Sequence, residues 1–332
     1  MARLSALEVR EPDEAKNIEE MIDILRRKMA RDYVAGRTLR DAHPKTTGVL
    51  RGKFVVAAGL PDELRVGIFA KPATFDCWIR TSNSSGTPRS DAVPDARGLA
   101  LKLLRPGGGE AADAKDAASF GQDFVLLDTP VMPLGTIALF RDAIYYTIET
   151  SPLWLAAKLA LTGHALVMLD LWRLLGNPSS PLDIQYWSTT PYRFGPSRAV
   201  KYSLVPTSRH ASTEPDEPGE NYLSEAMQAH LAHHEATFDF CVQLRQTGMP
   251  IEDAAVRWDE RASPLRKVAT LRIPRQAFRT AKRQALGEKL AFSPGHSLPA
   301  HAPLGGLNRA RTRIYAALSK FRHERDHRAE LT

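Results

Sequence analysis

Apolar residues recur at Ile18, Met21, Ile22, Leu25 and Met29, the spacing that lays one face of a helix on a protein body. After Gly48 the period changes. The runs GVLRGKFVVAAG, ELRVGIFAK, FDCWIRTS, RGLALKLL and DFVLL, ending at Leu127, predict strands separated by Gly, Pro, Asn and Ser turns. Several short strands at this spacing predict an antiparallel sheet closing into a barrel. Residues 84–95 read as a long polar loop, and Pro106 to Gly109 as a flexible one. Two further strands are predicted at 199–206 and 267–274, each closed by a proline that cannot continue a central ladder. Helices are predicted over 223–248, 275–292 and 308–328, the last favoured by its Ala, Leu and Arg content. The most apolar stretch runs from Pro152 to Gly176, but Lys158, His164, Asp170 and Arg173 interrupt it before about 18 clean residues accumulate. A packed helix is predicted there, with loose membrane contact the less favoured reading. The fold class is therefore α+β, an antiparallel barrel with helices packed outside it. No internal repeat or composition shift marks a boundary, which predicts one domain.

Composition narrows this little. With 332 residues, 43% hydrophobic and 25% charged, the chain can bury a sizeable core and resembles neither a fibrous nor a disordered protein. Cys77 and Cys241 lie far apart inside apolar sequence, which argues against a disulfide framework and for a reducing, cytoplasmic setting. The start, MARLSALEVREPDEAKN, shows no apolar run after its basic residue and no small-residue cleavage site, so no export signal is read. The net charge of +7 and pI near 9.4 come from basic residues scattered along the chain. That distribution predicts a solvated basic face and no nucleic-acid partner.

The last predicted helix carries the most informative pattern. Arg311, Tyr315, Leu318 and Arg322 fall at i, i+4, i+7 and i+11, one stripe on one face. A phenol ionises near pH 10, so a tyrosinate at neutral pH needs a cation or metal beside it, and Arg311 lies one turn away. Tyrosinate is an axial ligand of haem iron in some proteins. Arg322, about 10 Å further along the axis, could reach the carboxylate edge of a flat cofactor centred on Tyr315. Before the first strand, LRDAHPKTTG places His43 three residues after Arg40. A neutral imidazole there could take a proton from peroxide and return it to the leaving oxygen. Arg80 ends an aromatic-rich strand, giving a third cation beside Arg40 and Arg322, and Asp128 closes an apolar strand at a turn.

Taken in order, Arg40-x-x-His43, Arg80-Thr81-Ser82, Asp95-Ala96-Arg97-Gly98, Asp128-Thr129-Pro130 and Arg311-x-x-x-Tyr315 with Arg322 resemble the haem-site motifs of haem catalases over residues 35 to 325. The sequence is most similar to the small catalase-related proteins of bacteria. The resemblance implies a catalase-like antiparallel β-barrel haem domain over 1–332. An N-terminal helix would occupy 1–38, the barrel with inserted helices 39–273, and C-terminal helices 274–332. It further implies haem b as cofactor, with Tyr315 as iron ligand and Arg311 stabilising its phenolate. His43 would be the acid/base, Ser82 would orient its imidazole, and Arg40, Arg80 and Arg322 would bind the propionates. Phe140 would be an aromatic lining the distal side.

Two positions depart from the family. Asp128 stands where catalases have an asparagine, and an ionised carboxylate can only accept hydrogen bonds. High catalase turnover is therefore not expected. Ala42 precedes the histidine where catalases carry valine and allene oxide synthase-like relatives threonine. The resemblance thus implies a peroxidase using a hydroperoxide and a small organic electron donor. Its rivals are a fatty-acid hydroperoxide lyase or allene oxide synthase-like enzyme and a non-catalytic haem sensor or store. Without the arm and extra C-terminal domain of full catalases, a monomer or dimer is expected. His230 and His234 share a helical face at metal-pair spacing, but with no third ligand evident they read as part of a solvated polar face.

Overall fold

In the computed structural model, residues 8–104 and 121–330 are described. Nine antiparallel strands form one sheet: β1 (Thr46–Val56), β2 (Thr74–Asn83), β3 (Arg97–Leu103), β4 (Gln122–Leu127), β5 (Tyr186–Trp187), β6 (Tyr192–Phe194), β7 (Arg198–Pro206), β8 (Ala236–Leu244) and β9 (Arg266–Ile273). Their order is β5-β4-β3-β2-β1-β9-β8-β7-β6, and β5 also pairs with β7, so eight strands close a ring with β6 outside it. The predicted α+β barrel is what forms.

Alternation explains the barrel. Along β1, Leu50, Phe54 and Val56 are buried in the main core, and Leu50 faces Ile79 while Phe54 faces Phe75 of β2. The centre is aromatic. Phe240 meets Phe54 edge-on at 4.9 Å and Phe124 at 4.7 Å, and Tyr202 stands edge-on to Phe124 at 4.9 Å. Each such pair adds roughly 1 kcal/mol beyond area burial.

Among the described residues seven α-helices surround the ring: α1 (Glu14–Asp32), α2 (Ile137–Glu149), α3 (Pro152–Leu161), α4 (Leu166–Arg173), α5 (Tyr222–His233), α6 (Ala281–Lys289) and α7 (Gly306–Glu330). Helix α1 packs the predicted stripe, Ile18 to Met29, against Ile314 and Leu318 of α7.

Several boundaries differ from expectation. The run ELRVGIFAK forms two short 3-10 turns, Asp62–Leu64 and Gly67–Phe69, in place of a strand. Gly67 has φ +55°, and the His301 ring fills the space a Cβ would need, so the chain turns there. The helix predicted over 223–248 stops at His233, and β8 follows. In β8 Phe238, Phe240 and Val242 point into the core, while Thr237 and Asp239 point outward. The helix predicted over 275–292 is confined to Ala281–Lys289. Helix α2 was not predicted. The apolar stretch forms two helices, α3 and α4, that leave many large apolar side chains in solvent instead of one packed helix. The loop predicted at Pro106 to Gly109 lies outside the described residues. Both cysteines are buried and unpaired, and among the described residues no helix is long and apolar enough to cross a membrane.

Candidate active site

His43 sits in the turn before β1 at φ +57°, a left-handed conformation that costs a non-glycine residue about 1–3 kcal/mol. Arg80 of β2 holds it there. Its Nη2 donates to the His43 carbonyl at 2.6 Å and to Thr46 Oγ1 at 2.8 Å, and its Nε donates to the same hydroxyl at 3.1 Å. The imidazole is thereby set against β2 and β3. Nδ1 lies 3.1 Å from Ser82 Oγ, and the ring rests on Gly98, where an added Cβ would stand 2.8 Å from it. Burial, reinforced by the Arg80 charge, pushes the imidazole down to about 4, so it is neutral near pH 7. Replacing Gly98→Ala is expected to displace the imidazole and cost about 1–3 kcal/mol from overpacking. Thermal unfolding, read beside the His43 ring shifts in NMR, checks this.

The β3–β4 register brings Asp128 to the same end. Leu127 pairs with Gly98, and the next amide, of Asp128, donates to the Arg97 carbonyl at 3.0 Å. Asp128 Oδ1 is buried without a partner, and burial raises the carboxyl to about 6. It is an acid poised near neutrality.

From helix α7 comes the tyrosine stripe. Leu318 and Arg322 are buried, and Tyr315 is half-buried. The Arg311 guanidinium lies 5.7 Å from the centre of the Tyr315 ring. Its Nη1 donates to Thr190 Oγ1 at 3.2 Å and to Asn308 Oδ1 at 3.4 Å. Burial opposes its charge, but Tyr315 and Tyr192 more than offset that and leave Arg311 above its ordinary pKa. Arg311 lies close enough for its charge to act on His43, and Tyr315 close enough to act on Arg80.

Arg40, Arg80 and Arg322 gather near Glu288. Arg40 donates to Glu288 Oε2 at 3.0 Å, to the Gly287 carbonyl at 2.6 Å and to the Leu290 carbonyl, capping the C-terminal end of α6. Arg322 reaches the same Glu288 oxygen at 3.3 Å. Burial first, then the neighbouring guanidiniums, lowers Arg40 to about 9 and Arg80 to about 10. Three crowded guanidiniums around one bonded carboxylate leave positive charge that a dianionic cofactor edge would neutralise. Haem fits this donor set: two propionates for the arginines, a phenol for iron, and an imidazole that bonds Ser82 rather than a metal.

Phe140, at the start of α2, packs in the helical layer with the cluster that holds Tyr315 and, on its other side, beneath α3 and α4. The histidines of α5 differ from expectation, because His230 is buried and His210 packs on both His230 and His234 at 4.7 and 4.5 Å. The His210 and His234 rings stack in parallel, and among the described residues no group of three His, Cys, Asp or Glu is placed to hold a metal ion.

Three solved structures share this architecture. A fungal catalase aligns with a TM-score of 0.69 at 17% identity, covering 89% of this chain and 61% of its own. Catalase A from Saccharomyces cerevisiae gives 0.68 at 16%, covering 89% and 63%. The fold is that of catalases. A bacterial catalase aligns likewise, with a TM-score of 0.64 at 16% identity, covering 89% and 59%. The chain thus spans about three fifths of the length of the catalases it matches. No family model matches the sequence, and no curated protein matches it.

Sequence reasoning missed Glu288, Thr46, Thr190 and Asn308. Glu288, Thr46 and Thr190 act through residues distant in the chain, Glu288 lying 248 positions from Arg40, and Asn308 joins Arg311, three residues on, to the distant Thr190. Gly98 carried a signal, as a glycine inside a strand that marks close approach by another group.

Proposed function

We propose that this catalase-fold protein is a haem-dependent peroxidase that reduces hydrogen peroxide or organic hydroperoxides using a small organic electron donor, with weak or absent catalase activity. The observations that carry this reading are the neutral His43 imidazole braced on Ser82, within the field of Arg311, and the Arg311–Tyr315 pair on α7. Tyr315 would hold the iron, Arg311 would stabilise its phenolate, and Arg40, Arg80 and Arg322 would bind the propionates. Phe140 would be an aromatic lining the distal side of the cofactor. Bound there, haem supplies the redox chemistry that takes a hydroperoxide to an alcohol and water.

The chain's own residues move the protons. For His43 Nε2 to accept the hydroperoxide proton, Nδ1 must carry a hydrogen and donate it to Ser82 Oγ. The same Nε2 then returns the proton to the leaving oxygen. Asp128 sets the limit on dismutation. Ionised above about pH 6, it cannot donate to a second peroxide; protonated below that, it can.

Oxygen release is therefore expected to rise as pH falls through about 6, with donor oxidation dominant at neutral pH. Asp128→Asn supplies a permanent amide donor, and should raise oxygen release at neutral pH by about tenfold and flatten its pH dependence. An oxygen electrode read beside a chromogenic donor tests both. Vigorous oxygen release by the unmodified protein with no donor oxidation would overturn the peroxidase reading.

A further inference from the structure

Eleven large hydrophobic residues are exposed among the described residues. Four are scattered valines. The other seven, Leu153, Trp154, Leu161, Leu166, Leu169, Trp172 and Leu175, fall within 23 consecutive positions on helices α3 and α4 and their ends. Leu153 is 81% exposed, Leu161 88% and both tryptophans more than half. Concentration on this scale marks a surface with an apolar partner.

These helices are not simply loose. Their inner sides, through Leu155, Leu159, Val167 and Met168, pack on Leu139 and Ala143 of α2. At the far end Asp95 bridges Gly176, and Arg97 Nη2 donates to the Gly176 carbonyl at 3.1 Å. The outer face is thus held in place while its leucines stand in water. A helix apolar on both sides needs cover on both.

We propose that α3 and α4 dock the protein on an anionic phospholipid surface, lying in the plane of the headgroups. Four observations favour lipid over a second copy of the chain. The most exposed leucines protrude at the helix ends, a shape that a fluid apolar layer accepts without a matching pocket. Two clefts in the surface are lined mainly by charged and polar groups, Glu235, Asp239, Lys267 and Arg272 in one and Lys16, Glu19 and Asp23 in the other, and offer no apolar seat. Two tryptophans bracket the patch, the side chain suited to the boundary between apolar and wet layers. The chain carries a net charge of +7, and Lys158 and Arg173 outnumber Asp170 within the segment, complementing anionic headgroups. With α3 and α4 only 10 and 8 residues long, the contact is with the surface and does not span it.

The test uses the full chain with vesicles of phosphatidylcholine alone and of phosphatidylcholine with phosphatidylglycerol. Co-sedimentation with the anionic vesicles is expected, weakened by salt, with a blue shift of tryptophan emission and quenching by brominated lipid. The double variant L161S/L166S alters only exposed side chains and should lose at least about tenfold in vesicle affinity while keeping its circular dichroism and melting temperature. Binding to neither vesicle type would overturn the proposal, and so would binding that L161S/L166S leaves unchanged. A dimer that this variant dissociates, in a protein that ignores vesicles, would assign the face to a second copy instead. None of these readouts depends on haem or on peroxide turnover.

Discussion

Tyr315→Phe is expected to give a folded protein that no longer shows a tyrosinate-type haem spectrum and loses peroxide turnover by more than about a hundredfold. Even groups one step removed from a metal ligand are worth up to about that much. Only a hydroxyl is removed. Tyr315 is half-buried, and its ring packs with the Ile314 and Leu318 cluster, so the melting behaviour of the haem-free protein should change by less than about 1 kcal/mol. Absorption spectra, the ratio of haem to protein and thermal melts separate the two effects. Unchanged loading with an unchanged spectrum would remove Tyr315 as ligand. Arg311 would then be a guanidinium stacked on a structural phenol, tied to Thr190 and Asn308 for packing alone.

His43→Gln is expected to leave haem loading intact and slow the reaction with hydroperoxide by about 10²–10⁴-fold, the usual worth of a positioned proton shuttle. Arg80 grips the backbone carbonyl of this residue, so the turn should keep its shape when the side chain changes. With the imidazole at about 4, the unmodified protein should react at a constant rate from pH 7 down to near 5. It should slow as the ring becomes cationic below that and can no longer accept a proton. Rapid mixing of the loaded protein with peroxide across this range measures both. A rate indifferent to the substitution would mean that the proton travels by another route, and Asp128, with its unpartnered oxygen, would be the next residue to replace.

The strands that build the barrel were legible where alternation ran unbroken, as in β1 to β4, β7 and β9. Strand β8 was hidden because no glycine or proline separates it from α5; the change of period at Ala236, with Phe238, Phe240 and Val242 on one side, was the signal available. The two turns at Asp62–Leu64 and Gly67–Phe69 looked like a strand because their apolar residues alternate, yet the positive φ of Gly67 bends the chain against His301. Around the site, the motifs held residues whose spacing is local, such as Arg311 with Tyr315. Ser82 and His43 meet only because β2 passes beside the turn that precedes β1, and Glu288 joins Arg40 to Arg322 only once α6 and α7 are packed. For α3 and α4, apolar composition was read as burial, whereas composition states only that a helix avoids water and not what shields it.

The aromatic filling of the barrel has one more consequence. With Phe54, Phe69, Phe124, Phe240 and Tyr202 packed together in its centre, nothing can thread the ring. The two layers of the molecule are therefore free to change at different rates. Exchanges among the rings would alter how rigid the foundation is, while exchanges on the outer side of α3 and α4 would leave that packing untouched. A new surface could be acquired from the helices alone, with the aromatic centre left as it is.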